Sequence, residues 1–148
     1  IGHANNLSKD FYSKEIQSCP FTFYKNRIII PVQIGNKSFP FMYDCGASLY
    51  TLQTTPGNAK TFMPAVYSDT LFNINNGESG QVHNVAGGKI NKKVQLLGKV
   101  YKDLLVYVEK GESAIFNEAK VAGILGNKLF LDHIIAIDFK ERKFTWLE

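Results

Sequence analysis

Asp44 ends the apolar run Phe39, Pro40, Phe41, Met42, Tyr43 and is followed at once by Cys45, Gly46, Ala47 and Ser48. A carboxylate at the end of a buried strand is costly unless it is paired, hydrogen-bonded or protonated, so an acid in this setting marks a candidate functional site. The small residues after it have a physical use. Gly46 permits a tight loop with backbone N–H groups aimed at the carboxylate, and Ser48 brings a hydroxyl donor. The plainer alternative is an aspartate that caps a turn between two strands. A second segment bears on the choice: residues 121–126 read V-A-G-I-L-G, two apolar residues and a glycine followed by two more and another glycine. Ile124, Leu125 and Gly126 either pack against the Asp44 loop or are plain core residues ending a strand.

Strand signals dominate the elements that must position these groups. Residues 27–34 are rich in β-branched side chains, Gly35, Asn36 and Lys37 supply a turn, and residues 39–43 resume the apolar pattern, which predicts a hairpin. Residues 49–53 read as a short strand closed by Thr55, Pro56 and Gly57, and residues 65–74 as another, ending at the turn-rich Asn75, Asn76, Gly77 and Glu78. From residue 80 to 108 the alternation is long, with breaks at Gly87 and Gly88 and near Gly98, which predicts two hairpins. Short helices are expected over residues 114–120 and 127–132, and a last hairpin over residues 134–139 and 143–147 with its turn at Lys140 and Glu141. The class is all-β with one or two short helices, and many short strands favour a barrel or sandwich.

The chain of 148 residues, 45% hydrophobic and 20% charged, fits one globular domain with a core. Its net charge of +4 comes from scattered residues, with Lys92 and Lys93 as one basic doublet and Arg142 and Lys143 as another in a stretch whose charge Glu141 interrupts, so nucleic acid is not an expected partner. The longest apolar stretches are far shorter than the roughly 20 residues of a membrane-crossing helix. Residues 1–10 are polar and lack the charged start and apolar core of a signal peptide, as a mature exported chain would too. Cys19 and Cys45 are too few for a disulfide scaffold. His3, His83 and His133 lack metal-ligand spacing and read as surface or satisfied residues, so no metal is expected. Asp69, Asp103, Asp132 and Asp138 are not followed by glycine and carry no signature.

Together these segments resemble the retropepsin-like family of aspartic proteases. The family's motif is an apolar strand ending in Asp-Thr/Ser-Gly-Ala/Ser, with a later apolar-apolar-Gly loop packed against the catalytic loop. F-M-Y-D-C-G-A-S matches the first element and G-I-L-G the second. The likeness runs from about residue 27 to residue 146, and residues 123–146 look most like single-domain bacterial members. It implies a closed acid-protease barrel over residues 27–148, preceded by an N-terminal extension over residues 1–26. It also implies peptide-bond hydrolysis by two facing carboxylates that share one proton, because like charges about 3 Å apart cannot both ionise easily, with no metal or cofactor. Asp44 takes the catalytic role in this likeness, Cys45, Gly46, Ala47 and Ser48 form the active-site loop, and Ile124, Leu125 and Gly126 support it. Val85, Ala86, Gly87 and Gly88 match the flap, although the paired glycines also fit an ordinary turn.

The chain offers one Asp-x-Gly of this kind, so the resemblance implies a homodimer in which a two-fold axis brings Asp44 beside its own copy. A second lobe would serve instead if these residues are one domain of a longer chain. A peptide or protein would be the substrate, and the family favours export to the periplasm or cell surface, where a Cys19 to Cys45 disulfide is open. Cys45 departs from the pattern, since a thiol is a much weaker donor than the Thr or Ser hydroxyl that helps lock the two loops together. The lock is loosened, or other contacts replace it, or the chemistry is lost. Taken alone, Cys45 reads as a buried small hydrophobe rather than a nucleophile. Three classes stay open: a dimeric aspartic endopeptidase, a non-catalytic module that binds extended peptides, and an unrelated β-barrel.

Overall fold

A computed structural model of the chain describes residues 17–62, 67–75, 80–110 and 113–147. The first hairpin forms as its sequence dictates. Strand β3 (Arg27–Ile34) turns at Gly35, which adopts φ +61°, and returns as β4 (Lys37–Asp44), with Ile30 opposite Phe41 and Val32 opposite Phe39. Ile30, Val32 and Ile34 alternate into the main core, while Ile29 faces the other side of the sheet. Pro31 sits in the middle of β3 opposite Pro40, a place where neither ring removes a needed donor. The strand β2 (Thr22–Tyr24) pairs only as far as Ile29, and β8 (Val94–Leu96) begins pairing at Gln33.

The remaining elements follow in order: β5 (Leu52–Thr54), α1 (Pro56–Phe62), β6 (Asp69–Asn75), β7 (Val82–Lys89), β8, β9 (Lys99–Tyr101), β10 (Leu105–Val108), α2 (Ala114–Ala119), β11 (Gly123–Gly126), a 3-10 turn (Asn127–Phe130), β12 (Ile134–Asp138) and β13 (Lys143–Leu147). The larger sheet runs β6-β7-β10-β5-β11-β4-β3-β8-β9, with β2 also paired to β3. Among the described residues this path has two ends, at β6 and β9, and no strand pairing joins them. The smaller sheet is β1-β13-β12, where β1 is Gln17–Pro20. One core joins the two sheets, with Ile30, Phe41, Leu52, Val106 and Leu125 from the larger packed with Phe144 and Trp146 of the smaller and Phe130 of the 3-10 turn.

Several sequence expectations change. The stretch read as a turn at Thr55, Pro56 and Gly57 opens α1: proline suits the first helical position, the Thr55 carbonyl accepts the Ala59 N–H at 2.9 Å, and Thr55 Oγ1 accepts the Asn58 N–H at 3.4 Å. The strand expected from residue 49 starts at Leu52, leaving Leu49 in the loop and 51% exposed. Residues 76–78 of the expected turn and residues 65 and 66 of the preceding strand lie outside the described residues. The chain does not break at Gly87 and Gly88, which lie inside the eight-residue β7, whereas the turn near Gly98 does form, between β8 and β9. Within the stretch read as an N-terminal extension, residues 17–24 join the sheets: β1 pairs along β13 from Gln17 opposite Trp146 to Pro20 opposite Lys143, β2 pairs with β3, and Phe21 is buried.

Candidate active site

The position of β11 creates the site. This strand lies between β4, to which it is parallel, and β5, to which it is antiparallel. Because β4 and β5 are consecutive in sequence, the loop joining them must pass over the end of β11, across two strand spacings of about 4.8 Å each. Asp44 is the last residue of β4 and stands in register with Gly126, the last residue of β11. The crossing loop is then tied down by backbone hydrogen bonds: Gly126 N–H donates to Thr51 O at 3.0 Å, Asn127 N–H to Ala47 O at 2.9 Å, and Lys128 N–H to Tyr50 O at 3.2 Å.

Close packing explains the glycines. A Cβ on Gly126 would collide with the Tyr50 carbonyl oxygen and come within 2.6 Å of the Ala47 oxygen, and one on Gly123 would collide with the Gln53 carbonyl oxygen. These obstacles are backbone atoms fixed by the same hydrogen bonds, so they cannot swing aside as side-chain ends do. Ala122, just before β11, is anchored as well, with its N–H donating to Pro40 O at 2.7 Å and its carbonyl accepting from Thr54 Oγ1 at 2.6 Å and Asn58 Nδ2 at 3.2 Å.

Within the loop, Asp44 is half-buried and its Oδ1 accepts the Gly46 N–H at 2.8 Å. Gly46 serves by close approach rather than by an unusual dihedral, since a Cβ there would sit 3.2 Å from that same oxygen. Ser48 is exposed and its backbone N–H bonds the Gly46 carbonyl, so the contact to the carboxylate comes from Gly46 and not from the serine hydroxyl that the sequence offered. Cys45 is exposed with a free thiol, which corrects its expected burial, and Cys19 is likewise free, so the two form no disulfide. Burial pushes the Cys19 thiol up to about 11. Among the described residues, no group of three His, Cys, Asp or Glu side chains gathers as metal ligands.

Ile124, Leu125 and Gly126 do lie beside the Asp44 loop. Leu125 is fully buried in the main core, while Ile124 packs with Met42 on the opposite face. By strand alternation that second face also carries Asp44, and the register extends it through Gln53 and Tyr107 to Gly87 and Asp69. Val85, Ala86, Gly87 and Gly88 sit in the body of β7, where Ala86 and Gly87 have partners on both β6 and β10, so they cannot be the free end of a hairpin. Gly87 makes room for the Tyr107 ring, which a Cβ would meet at 2.5 Å.

Several residues without a motif complete the site. Tyr43 donates to Asn127 Oδ1 at 2.9 Å and packs edge-on against Phe130 and Phe144. Tyr50 and Tyr107 meet edge-on at 5.6 Å between centroids, and with Ile74 and Val85 they form a third apolar cluster that joins the Asp44 loop to the β6–β7 hairpin. Tyr107 Oη donates to Asp69 Oδ2 at 2.5 Å, and that bond, followed by one from the Thr70 N–H, holds Asp69 below its ordinary range. Each of these pairings joins residues far apart in sequence, so nothing local announces them. Asp138 accepts the Lys140 and Glu141 N–H groups at 2.9 Å each, which makes it the cap of the last turn.

No protein-family model and no curated protein matches the sequence. Among solved structures the chain is similar to a retropepsin-like aspartic protease from Rickettsia conorii, with a TM-score of 0.57 and 19% identity, over 90% of this chain and 92% of that one. The likeness is one of fold: a mostly β chain with short helices, arranged as in an aspartic protease of the retropepsin-like type.

Two outcomes follow from this geometry. Gly126→Ala should lower stability by about 3 kcal/mol or more, because overpacking against fixed backbone cannot relax, and a urea melt should show the midpoint falling by roughly 1–2 M. A midpoint unchanged from the parent would show that the crossing loop yields. Burial is the main cause that pushes the Tyr43, Tyr50 and Tyr107 hydroxyls up to about 12, aided by the charges of Cys45 and Asp44, by that of Glu109, and by the hydrogen bond and charge of Asp69 respectively. The unfolded chain ionises these groups near pH 10 and so holds fewer protons than the folded one between about pH 10 and 12. Stability should therefore be complete below about pH 10 and fall through that window, as denaturant melts at stepped pH would show.

Proposed function

We propose that this chain is an aspartic endopeptidase whose catalytic dyad is completed by Asp44 of a second copy. The observation that carries the reading is Asp44 itself: a half-buried carboxylate at a strand end, held by the Gly46 N–H, in a loop interlocked with Gly126, Asn127 and Lys128. In the reaction one carboxylate of the pair is ionised and takes a proton from water, while the other donates its proton to the scissile carbonyl oxygen. The water oxygen bonds to the carbonyl carbon as the C=O π bond opens, and the tetrahedral diol then collapses to the acid as the C–N bond breaks and the amine nitrogen takes a proton from the dyad, with no covalent enzyme intermediate. The proton belongs to the pair rather than to either acid alone.

The single Asp-Cys-Gly supports assembly from two copies, and the fold match, which takes in 92% of the neighbour, supports an organisation around one lobe. In this reading the larger sheet curls toward the acid-protease barrel. The β6–β7 hairpin is the flap, with Val85, Ala86, Gly87 and Gly88 in its returning strand, and an extended peptide lies between the hairpin and the face that carries Ile124 and Asp44. A second reading rests on Cys45, whose exposed thiol is a poor substitute for a hydroxyl lock. It keeps the cleft and its peptide but not the cleavage.

Asp44→Asn should abolish cleavage of an unstructured protein at mildly acidic pH, and a statine-type transition-state analogue should inhibit the parent. Undiminished cleavage by Asp44→Asn would sink the mechanism. Peptide binding without cleavage by the parent, with turnover appearing on Cys45→Thr, would establish the second reading.

A further inference from the structure

Beyond the Asp44 loop, a second polar group is enclosed on the same side of the sheet. Gln53 of β5 is buried and donates through Nε2 to Glu109 Oε2 at 2.5 Å. The other oxygen of that carboxylate, Oε1, lies 2.5 Å from Nε2 of His83 on β7. That imidazole nitrogen is sealed from water and makes no aligned hydrogen bond, so what it offers the carboxylate is proximity, an attraction that needs the imidazolium, and the two side chains are only 23% and 19% exposed. Glu109 is itself fixed, since it follows β10 directly and its backbone N–H donates to Thr54 O at 2.9 Å.

The place of this contact gives it a consequence. β10 holds β7 by backbone pairing from Lys89 opposite Leu105 to Ala86 opposite Val108, and there the pairing stops. Beyond it, the contacts that the part of the hairpin carrying Leu71, Ile74, Val85 and His83 makes with the rest of the described residues include the apolar cluster on Tyr50 and Tyr107 and the His83–Glu109 contact. We propose that His83 and Glu109 form a proton-operated clasp, which holds the β6–β7 hairpin against Tyr50 and Tyr107 while the imidazole is charged and loosens it when the imidazole becomes neutral. The contact rests on the attraction between opposite charges, so a neutral imidazole loses it while the apolar cluster stays, and the clasp loosens without the hairpin coming free.

The neighbouring ionisable groups leave the control to this pair. Tyr50 of the active-site loop and Tyr107 of β10 are pushed up to about 12 and stay neutral through the range in which imidazoles titrate, between about pH 5 and 8. Asp69 of β6, held low by Tyr107 and then Thr70, stays charged through it, with Lys128 of the 3-10 turn contributing in the same direction. Lys89, on the face of β7 that also carries His83, is exposed and six residues away, and lysines likewise keep their charge there. Gln53 does not titrate. As a control of cleavage the clasp rests on the protease reading, and its sense agrees with it: the hairpin is held under the mildly acidic conditions that a shared-proton dyad needs.

The test reads the hairpin itself. Amide hydrogen exchange on the full chain, corrected for the intrinsic effect of pH, should show the β6 and β7 amides near Ile74 and His83 about fivefold better protected at about pH 5.5 than at about pH 8, with β3 and β4 unchanged. The midpoint of that change should coincide with the His83 imidazole titration followed by NMR in the same sample. His83→Gln, which keeps a donor of similar reach, and Glu109→Gln, which keeps the Gln53 contact, should each abolish the pH dependence while β3 and β4 confirm the fold. Hairpin protection that does not vary with pH in the parent, or that varies equally in His83→Gln, overturns the clasp. Cleavage and exchange followed on the same parent sample separate the two proposals: a parent that never cleaves but retains the pH response loses the protease reading and keeps the clasp, and an active protease without the response does the reverse.

Discussion

The structure depends on the close approach of β11 to the two strands it separates. Backbone carbonyls of Gln53, Tyr50 and Ala47 occupy the volumes that side chains at 123 and 126 would fill, so two glycines are the condition for the strand to enter at all. Once it has entered, the order of strands forces the Asp44 loop to cross its end, and three backbone N–H groups of Gly126, Asn127 and Lys128 meet three carbonyls of that loop. A loop that would otherwise leave buried polar atoms unpaired is thereby satisfied along its length. The position of the carboxylate follows from backbone geometry and not from the identity of any one loop side chain.

The same crossing couples the two sheets. Asn127, whose N–H holds the loop, accepts from the Tyr43 hydroxyl through its side chain, and Tyr43 rests on Phe130 and Phe144 at the centre of the shared core. On the opposite face Tyr50 leaves the loop and meets Tyr107, so the hairpin above is founded on the loop below. Aromatic pairs of this kind contribute about 0.5–1.5 kcal/mol beyond the area they bury. That is comparable to a single net hydrogen bond, about 0.5–1.5 kcal/mol, so neither the ring contact nor the Tyr107–Asp69 bond alone fixes the hairpin. Their combination with Gly87, which leaves room for the Tyr107 ring against β7, sets where the hairpin rests.

What the sequence disclosed was what repeats locally. The hairpin of β3 and β4 and the last hairpin show in alternation and turn residues, and D-C-G-A-S with I-L-G marks the two segments that meet at Asp44. What it concealed depended on pairing across the chain. Gly87 and Gly88 read as a break because an isolated glycine in a strand has no visible purpose until the Tyr107 ring opposite is known. β1 escaped notice because Gln17, Ser18, Cys19 and Pro20 hold little intrinsic strand preference and form a strand by pairing with β13. At Pro56 the turn signal and the helix-start signal are the same residue, and the choice falls to the capping bonds of Thr55. Asp69, Glu109 and His83 carried no motif, because their partners lie 38, 56 and 26 positions away.

Cys45 is the point at which fold and chemistry separate. The loop's shape rests on Gly46 at the carboxylate and on the three N–H groups from Gly126, Asn127 and Lys128, none of which involves the side chain at 45. A thiol in place of a hydroxyl therefore leaves the loop of a single chain intact, and its exposure shows that it fills no gap in that chain's core. What the side chain at 45 contributes lies at the exposed surface of the loop rather than in the packing beneath it. The Asp44 loop is thus well built independently of that side chain, and stability measurements report on the crossing of β11 rather than on any chemistry at the carboxylate.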